Sequence, residues 1–244
     1  KARVERSLMR KLKIAAFMPH PDDTEILVGG TLLKYKAQGH DVHVVIAMDG
    51  RRGRGHLPDS VSWQEIVAIR HEEARRACAI LGVEPIFLDI EDHRLLDDRD
   101  CYEKVITAME SLNPDVVFTC APNDYHNDHR CLSRLVLNSA WAPVFFAETS
   151  CGVDFNPDFY VDITEFIETK IEMARQHQSQ FTEDPKETIE IVNRFRALQC
   201  RRKEIRYAEC FKLYKRFEWV KAYELLPHDD YELPEKIVPT TERN

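Results

Sequence analysis

Two short segments carry side chains that chemistry uses and a protein core avoids. His20, Asp22 and Asp23 fall within Pro-His-Pro-Asp-Asp, directly after the apolar run Ile14, Ala15, Ala16, Phe17, Met18. His126, Asp128 and His129 follow a second apolar run, residues 114–120, after five intervening residues. A carboxylate beside a buried strand end must be solvated, paired or coordinated, because desolvating an unpaired one is costly. His20 and Asp23, with Pro21 fixing the backbone between them, can offer a nitrogen and an oxygen to one cation and leave Asp22 uncommitted. The plainer use of either cluster is to cap the helix that follows it. Taken together the clusters favour the metal, since two histidines three apart at a helix start face one point. Three protein ligands plus water is how catalytic zinc is usually held.

The elements that must position these groups alternate along the chain. Strands are expected over residues 14–18, 41–48, 85–90 and 114–120, with helices over 25–38, 62–81, 102–112 and 131–140 between and after them. Strands at 143–147 and 159–163, helices at 165–178 and 188–211, and a last strand at 211–214 complete the pattern. Such alternation predicts an α/β fold: a Rossmann-like, mostly parallel sheet with helices on both faces and the metal site at the carboxyl ends of the strands. Gly29-Gly30 weaken the helix they interrupt, so they serve close packing on the sheet or backbone approach to a ligand. The loop from Asp49 to Gly55 holds three arginines and three glycines, as a substrate loop or a mobile solvated one. Arg70 and Glu73 have the spacing of a helix ion pair. Asp89, Glu91, Asp92 and His93 read as a solvated loop. The whole chain, 1–244, is expected to form one domain, with residues 1–12 as a short lead-in helix and 226–244 as an extended tail.

Composition narrows the function classes. With 34 basic against 42 acidic residues and no long Lys/Arg block, binding to a nucleic-acid backbone is disfavoured. Seven scattered cysteines without a C-x-x-C pair read as reduced thiols of a soluble, cytoplasmic protein. No apolar stretch is long enough for a membrane span. A homo-oligomer stays open.

The paired motifs resemble the LmbE-like (PIG-L) family of zinc-dependent N-acetyl sugar deacetylases. Its H-P-D-D motif with a downstream glycine pair corresponds to His20-Pro21-Asp22-Asp23 and Gly29-Gly30, and its H-x-D-H motif to His126-Asn127-Asp128-His129. Weaker matches are Asp49-Gly50 after the second strand, Arg70 with Glu73, and the H-x-S-Q run from His177 to Gln180. Many members read H-P-D-D-E, whereas here Thr24 intervenes before Glu25. The resemblance implies zinc held by His20, Asp23 and His129, with Asp22 as general base, His126 stabilising the oxyanion and Asp128 orienting His126. It makes Arg70, Asp49 and His177 substrate-side or pocket-wall residues, and an N-acetylglucosamine-type conjugate the substrate. By donor type alone Fe2+ or Co2+ would fit as well as Zn2+. Two other readings compete: a catalytically silent carbohydrate-binding protein on the same fold, and a metal-dependent phosphoesterase, which the arginine loop favours.

Overall fold

Strands covered on both faces read as continuous apolar runs, and two such runs, β1 (Lys13–Met18) and β4 (Val116–Thr119), lie side by side at the middle of the sheet. The computed structural model describes residues 11–93, 99–149, 152–214 and 225–228. The other elements are α1 (Asp23–Ala37), β2 (Asp41–Met48), α2 (Trp63–Leu81), β3 (Ile86–Ile90), α3 (Arg99–Leu112), α4 (Asn127–Ser139), β5 (Val144–Ala147), β6 (Phe159–Asp162), α5 (Ile167–Ala174), α6 (Lys186–Gln199) and β7 (Ala208–Leu213).

The strand order is β3-β2-β1-β4-β5-β7-β6. Neighbours are parallel from β3 through β5, and β7 runs antiparallel to both β5 and β6. The chain leaves β1 in one direction towards β2 and β3, then resumes on its other side with β4. The crevice between the carboxyl ends of β1 and β4 is therefore the topological switch point, where open α/β sheets place ligands. Pairing of Ile14 with Val116 and of Ala16 with Phe118 brings the residues after both strands to the same edge.

The alternating faces of β1 feed two cores. Ile14, Ala16 and Met18 pack with residues of α1, α2 and α5, whereas Ala15 and Phe17 join those of α3 and α4. Helix α2 is bounded as its sequence dictates, by a Ser62–Glu65 capping box and a left-handed Gly82. Of the glycine pair in α1, Gly30 serves close packing, since a Cβ there would stand 2.8 Å from Ile163, whereas one on Gly29 would make ordinary contacts at 3.6 Å. Glu209 of β7 also reaches this helix, accepting from the N–H groups of Gly30 and Thr31 and from Lys170 Nζ.

Two expected boundaries shift. The helix expected over 188–211 stops at Gln199, because Arg201 takes a left-handed conformation (φ 54°) and residues 208–213 are claimed by pairing to β5 and β6. The apolar spacing there fits either period, and tertiary pairing decides. The helix expected over 165–178 stops at Ala174, which leaves His177 in the turn that follows. Residues 1–10 of the expected lead-in helix and 229–244 of the expected tail lie outside the described residues. Where that tail was expected to begin, Leu226 is buried and Tyr35 donates to the Leu225 carbonyl. Among the described residues no helix is long and apolar enough to cross a membrane.

Candidate metal centre

Both motif turns are built by their own backbone. After β1 the chain turns through His20, whose N–H donates to Asp23 Oδ2 at 2.9 Å. Asp22, the N-cap of α1, adopts φ 155°, ψ −25°, a region that non-glycine residues rarely occupy and that costs about 1–3 kcal/mol. At the start of α4, His126 is the N-cap, and its Nδ1 accepts from the Asp128 N–H at 3.2 Å. Buried Asp124 accepts from the His126 N–H, and Arg130 donates to the carbonyls of Asp124 and Tyr125.

The two turns meet. Asp23 Oδ2 lies 3.2 Å from His20 Nδ1 and 3.3 Å from His129 Nε2. Donors with metal bonds of about 2.0–2.2 Å in a tetrahedron lie roughly 3.3 Å apart, and both contacts of Asp23 have that spacing. Ring nitrogens of His20, His126 and His129 also come within 4.8 Å of one another, which places the His126 imidazole beside the same point. The carboxylate of Asp128 meets His20 Nε2 at 3.3 Å and the His93 N–H at 3.2 Å. Asp128 touches His126 through its backbone N–H.

Charge pairing between the carboxylates and the imidazoles dominates the electrostatics of this cluster. Burial disfavours a charged His20, but the acceptors Asp128 and Asp23, with Asp22, outweigh it and hold its pKa at about 9. His129 is likewise raised against its burial, chiefly by Asp23. Asp23 is driven well below the carboxylate range by His129 and His20 despite burial. His126 goes the other way: burial, reinforced by the neighbouring His20 and His129, lowers its pKa. Asp22 is raised by burial, against the pull of Arg70.

Arg70 supplies the second layer of the site. From α2 it reaches Asp22 Oδ2 at 3.1 Å, the Pro21 carbonyl at 3.0 Å and the Gly50 carbonyl at 3.3 Å. Its partner is thus Asp22, and Glu73 is engaged by the N–H and hydroxyl of Ser179 instead. The Gly/Arg loop is fastened around it: a Cβ on Gly53 would overlap the Arg70 guanidinium, and one on Gly55 the Ser179 carbonyl. Gln180 donates to the Gly53 carbonyl at 2.8 Å.

A cavity of about 370 Å³ opens over these groups, lined by His20, Asp22, Asp23, Arg70, His126 and His129 together with Arg52, Asp92, His93 and Gln180. Asp49 and His177 stand outside that lining. Asp49 holds Arg51 through Nε at 2.7 Å, and His177 is fully buried with Nε2 3.1 Å from Glu25 Oε2. Sequence reasoning missed Asp92, which was expected in a solvated loop but is buried and accepts from the N–H groups of Gly50 and Arg52. It also missed Asp124. The available signal for both was position, each lying just beyond a core strand.

Comparison with known proteins gives consistent relatives. A family model described as GlcNAc-PI de-N-acetylase (PIG-L) matches residues 15–140. The chain is 32% identical over 192 residues to the diacetylchitobiose deacetylase of Thermococcus kodakarensis, covering 70% of this chain and 71% of that one. The solved N,N'-diacetylchitobiose deacetylase of Pyrococcus horikoshii aligns with a TM-score of 0.74 and 27% identity over 84% of each chain. GalB, the 4-carboxy-2-hydroxymuconate hydratase of Pseudomonas putida, aligns with a TM-score of 0.76 over 84% of this chain and 98% of that one. At 22% identity this last likeness speaks to the fold alone.

Proposed function

The chain belongs to the PIG-L (GlcNAc-PI de-N-acetylase) family, and on that premise we propose that it hydrolyses the N-acetyl group of an N-acetylglucosamine-type sugar conjugate at a divalent metal centre. The observation that carries this reading is Asp23 Oδ2 lying between His20 Nδ1 and His129 Nε2, with the carboxylate of Asp22 next in sequence and held apart by Arg70. The proposed ligands are His20, Asp23 and His129. Zinc is the preferred ion, and Fe2+ and Co2+ share its donor types. When bound, the metal supplies Lewis acidity at the amide carbonyl and lowers the pKa of water towards about 7.

The protein's own groups carry the rest. Asp22 is the proposed general base: it takes a proton from the attacking water and returns it to the leaving amine. A carboxyl raised by burial suits that work, and Arg70 fixes its direction. His126 is the proposed oxyanion donor. Because its Nδ1 accepts from the Asp128 N–H, a neutral ring carries its proton on Nε2 and keeps a donor for the developing charge. Asp128 and Asp124 position His20, His126 and His129.

The fold likeness to a hydratase leaves this assignment unchanged, since one fold hosts many chemistries and function is read from the site. The seven cysteines are scattered with no C-x-x-C pair, which supports a reducing, cytoplasmic setting. The deciding experiment is purification without added metal, metal analysis, and an assay of free amine and acetate from N-acetylglucosamine, diacetylchitobiose and other N-acetylated glucosamine conjugates. Release that is lost on chelation and restored by zinc supports the proposal, and metal-loaded protein that leaves every such amide intact refutes it.

A further inference from the structure

A second cavity adjoins the one over the metal centre, and its lining is of a different kind. It holds about 210 Å³ between the first turn of α1, helix α6, residues 148–149 after β5 and residues 209–210 of β7. Ile26, Leu27, Ile189 and Val192 are its apolar walls. Asp23 and Ile26 border both cavities. Ile26 and Leu27 follow Asp23 by three and four residues, so one face of α1 leads from the proposed metal ligand into the apolar space. The other two carboxylates of the lining are neutralised within the protein. Glu148 is held by Arg196, and Glu209 by Lys170 and the N–H groups of Gly30 and Thr31. Neither opposes an apolar guest. Unfilled apolar space lowers stability in proportion to its volume, whereas pockets of mainly apolar lining are the usual seat of an apolar ligand group.

We propose that this cavity receives the acyl chain of the substrate and admits chains longer than acetyl. The inference rests on the amide-hydrolase reading above and deepens it. The acyl chain is bonded to the very carbon that must react beside the metal, so it leaves the reacting centre past the nearest side chains, and Asp23 and Ile26 are such neighbours on the apolar side. The sugar and its aglycone suit the polar cavity, where Arg52, Asp92, His93 and Gln180 can meet hydroxyl groups. A single methyl group, about the size of one water molecule, would leave most of the apolar volume empty. The chemistry is unchanged by chain length. Water adds to the acyl carbon, the C–N bond breaks with its electron pair going to nitrogen, a proton of the water passes to that nitrogen through Asp22, and the longer carboxylic acid leaves in place of acetic acid.

The test is a series of glucosamines carrying acetyl, propionyl, butyryl and hexanoyl groups, given to the zinc-loaded protein with amine release followed for each. The value of kcat/KM is expected to rise about threefold to fourfold per added methylene, the usual gain from burying one. Val192→Phe fills the cavity from α6 and should erase that rise while leaving acetyl release unchanged, which also shows that the variant folds. Thr188→Phe, at an exposed position of the lining, should do the same without touching the core. Calorimetric binding of the series to zinc-loaded Asp22→Ala protein reads the cavity without turnover. Affinity that grows with chain length and is flattened by Val192→Phe supports the acyl cavity even where the parent cleaves no amide, a result that would overturn the hydrolase reading alone. No dependence on chain length in either measurement overturns the proposal. So does a Val192→Phe variant that weakens octyl N-acetylglucosaminide and spares N-hexanoylglucosamine, since the cavity would then belong to the aglycone.

Discussion

Arg70 Nη2 lies 3.1 Å from Asp22 Oδ2, and both residues belong to a site that sequence spacing alone would have divided differently. The guanidinium is 3% exposed and also holds the carbonyls of Pro21 and Gly50. It thus fixes the turn that carries Asp22 and the loop beyond β2 together. Arg70→Gln removes a charge-assisted bond of about 1.5–3 kcal/mol. In the PIG-L reading kcat/KM should fall by about 10- to 150-fold with metal content unchanged, as measured by metal analysis and amine release on one preparation. A variant as active as the parent would remove Arg70 from the site.

Metal content separates the proposed roles of the four motif residues. His20→Ala and His129→Ala should lose most of the metal. Asp22→Ala should retain it near stoichiometrically and lose turnover. His126→Ala should also retain it, with kcat down by about 10²–10³, the usual cost of one oxyanion donor. Equal metal loss from His126→Ala and His129→Ala would instead favour the ring-nitrogen triad of His20, His126 and His129.

Much of this site was legible before any coordinates, and the reason is topological. A strand run that ends in His-Pro-Asp-Asp and another that ends near His-x-Asp-His both deliver their polar residues to the carboxyl edge. The apolar runs of β1 and β4 reveal those ends directly. What stayed hidden is contact between segments distant in sequence. Glu73 sits three residues from Arg70 but binds Ser179, 106 positions away, and helix spacing contains no trace of that. Asp92 looked solvated because its partners, the N–H groups of Gly50 and Arg52, belong to another loop. The end of α6 departs from its helical spacing for a related reason, since strand pairing of residues 208–213 is a property of β5 and β6 as much as of the run itself.

Gly30 is required for the approach of α1 to the end of β6. A Cβ there would stand 2.8 Å from Ile163 Cδ1 and Cγ2, inside any real carbon contact. Gly30→Ala should therefore destabilise by about 1–3 kcal/mol, read as a thermal midpoint lowered by roughly 2–12 °C. Shortening the neighbour with Ile163→Val should recover part of the loss. Additive losses in the double variant would contradict the packing explanation.

The His177–Glu25 pair gives the stability a pH dependence of known sign. Burial opposes charge on the His177 ring, but Glu25 at 3.1 Å, with Asp22 and Glu73, outweighs it and raises the pKa above the ordinary 6.5. A histidine bound more tightly to its proton in the folded chain stabilises that chain fully below about pH 6.5. The contribution is lost as pH climbs through the raised value. His177→Gln cannot titrate, so its thermal midpoint should fall less than that of the parent between pH 6.5 and the alkaline range. Both proteins should be zinc-loaded, so that the imidazoles of the metal site affect them equally. Parallel pH profiles would mean that His177 is neutral in the fold, and the ion pair would then contribute nothing to holding the turn after α5 against α1.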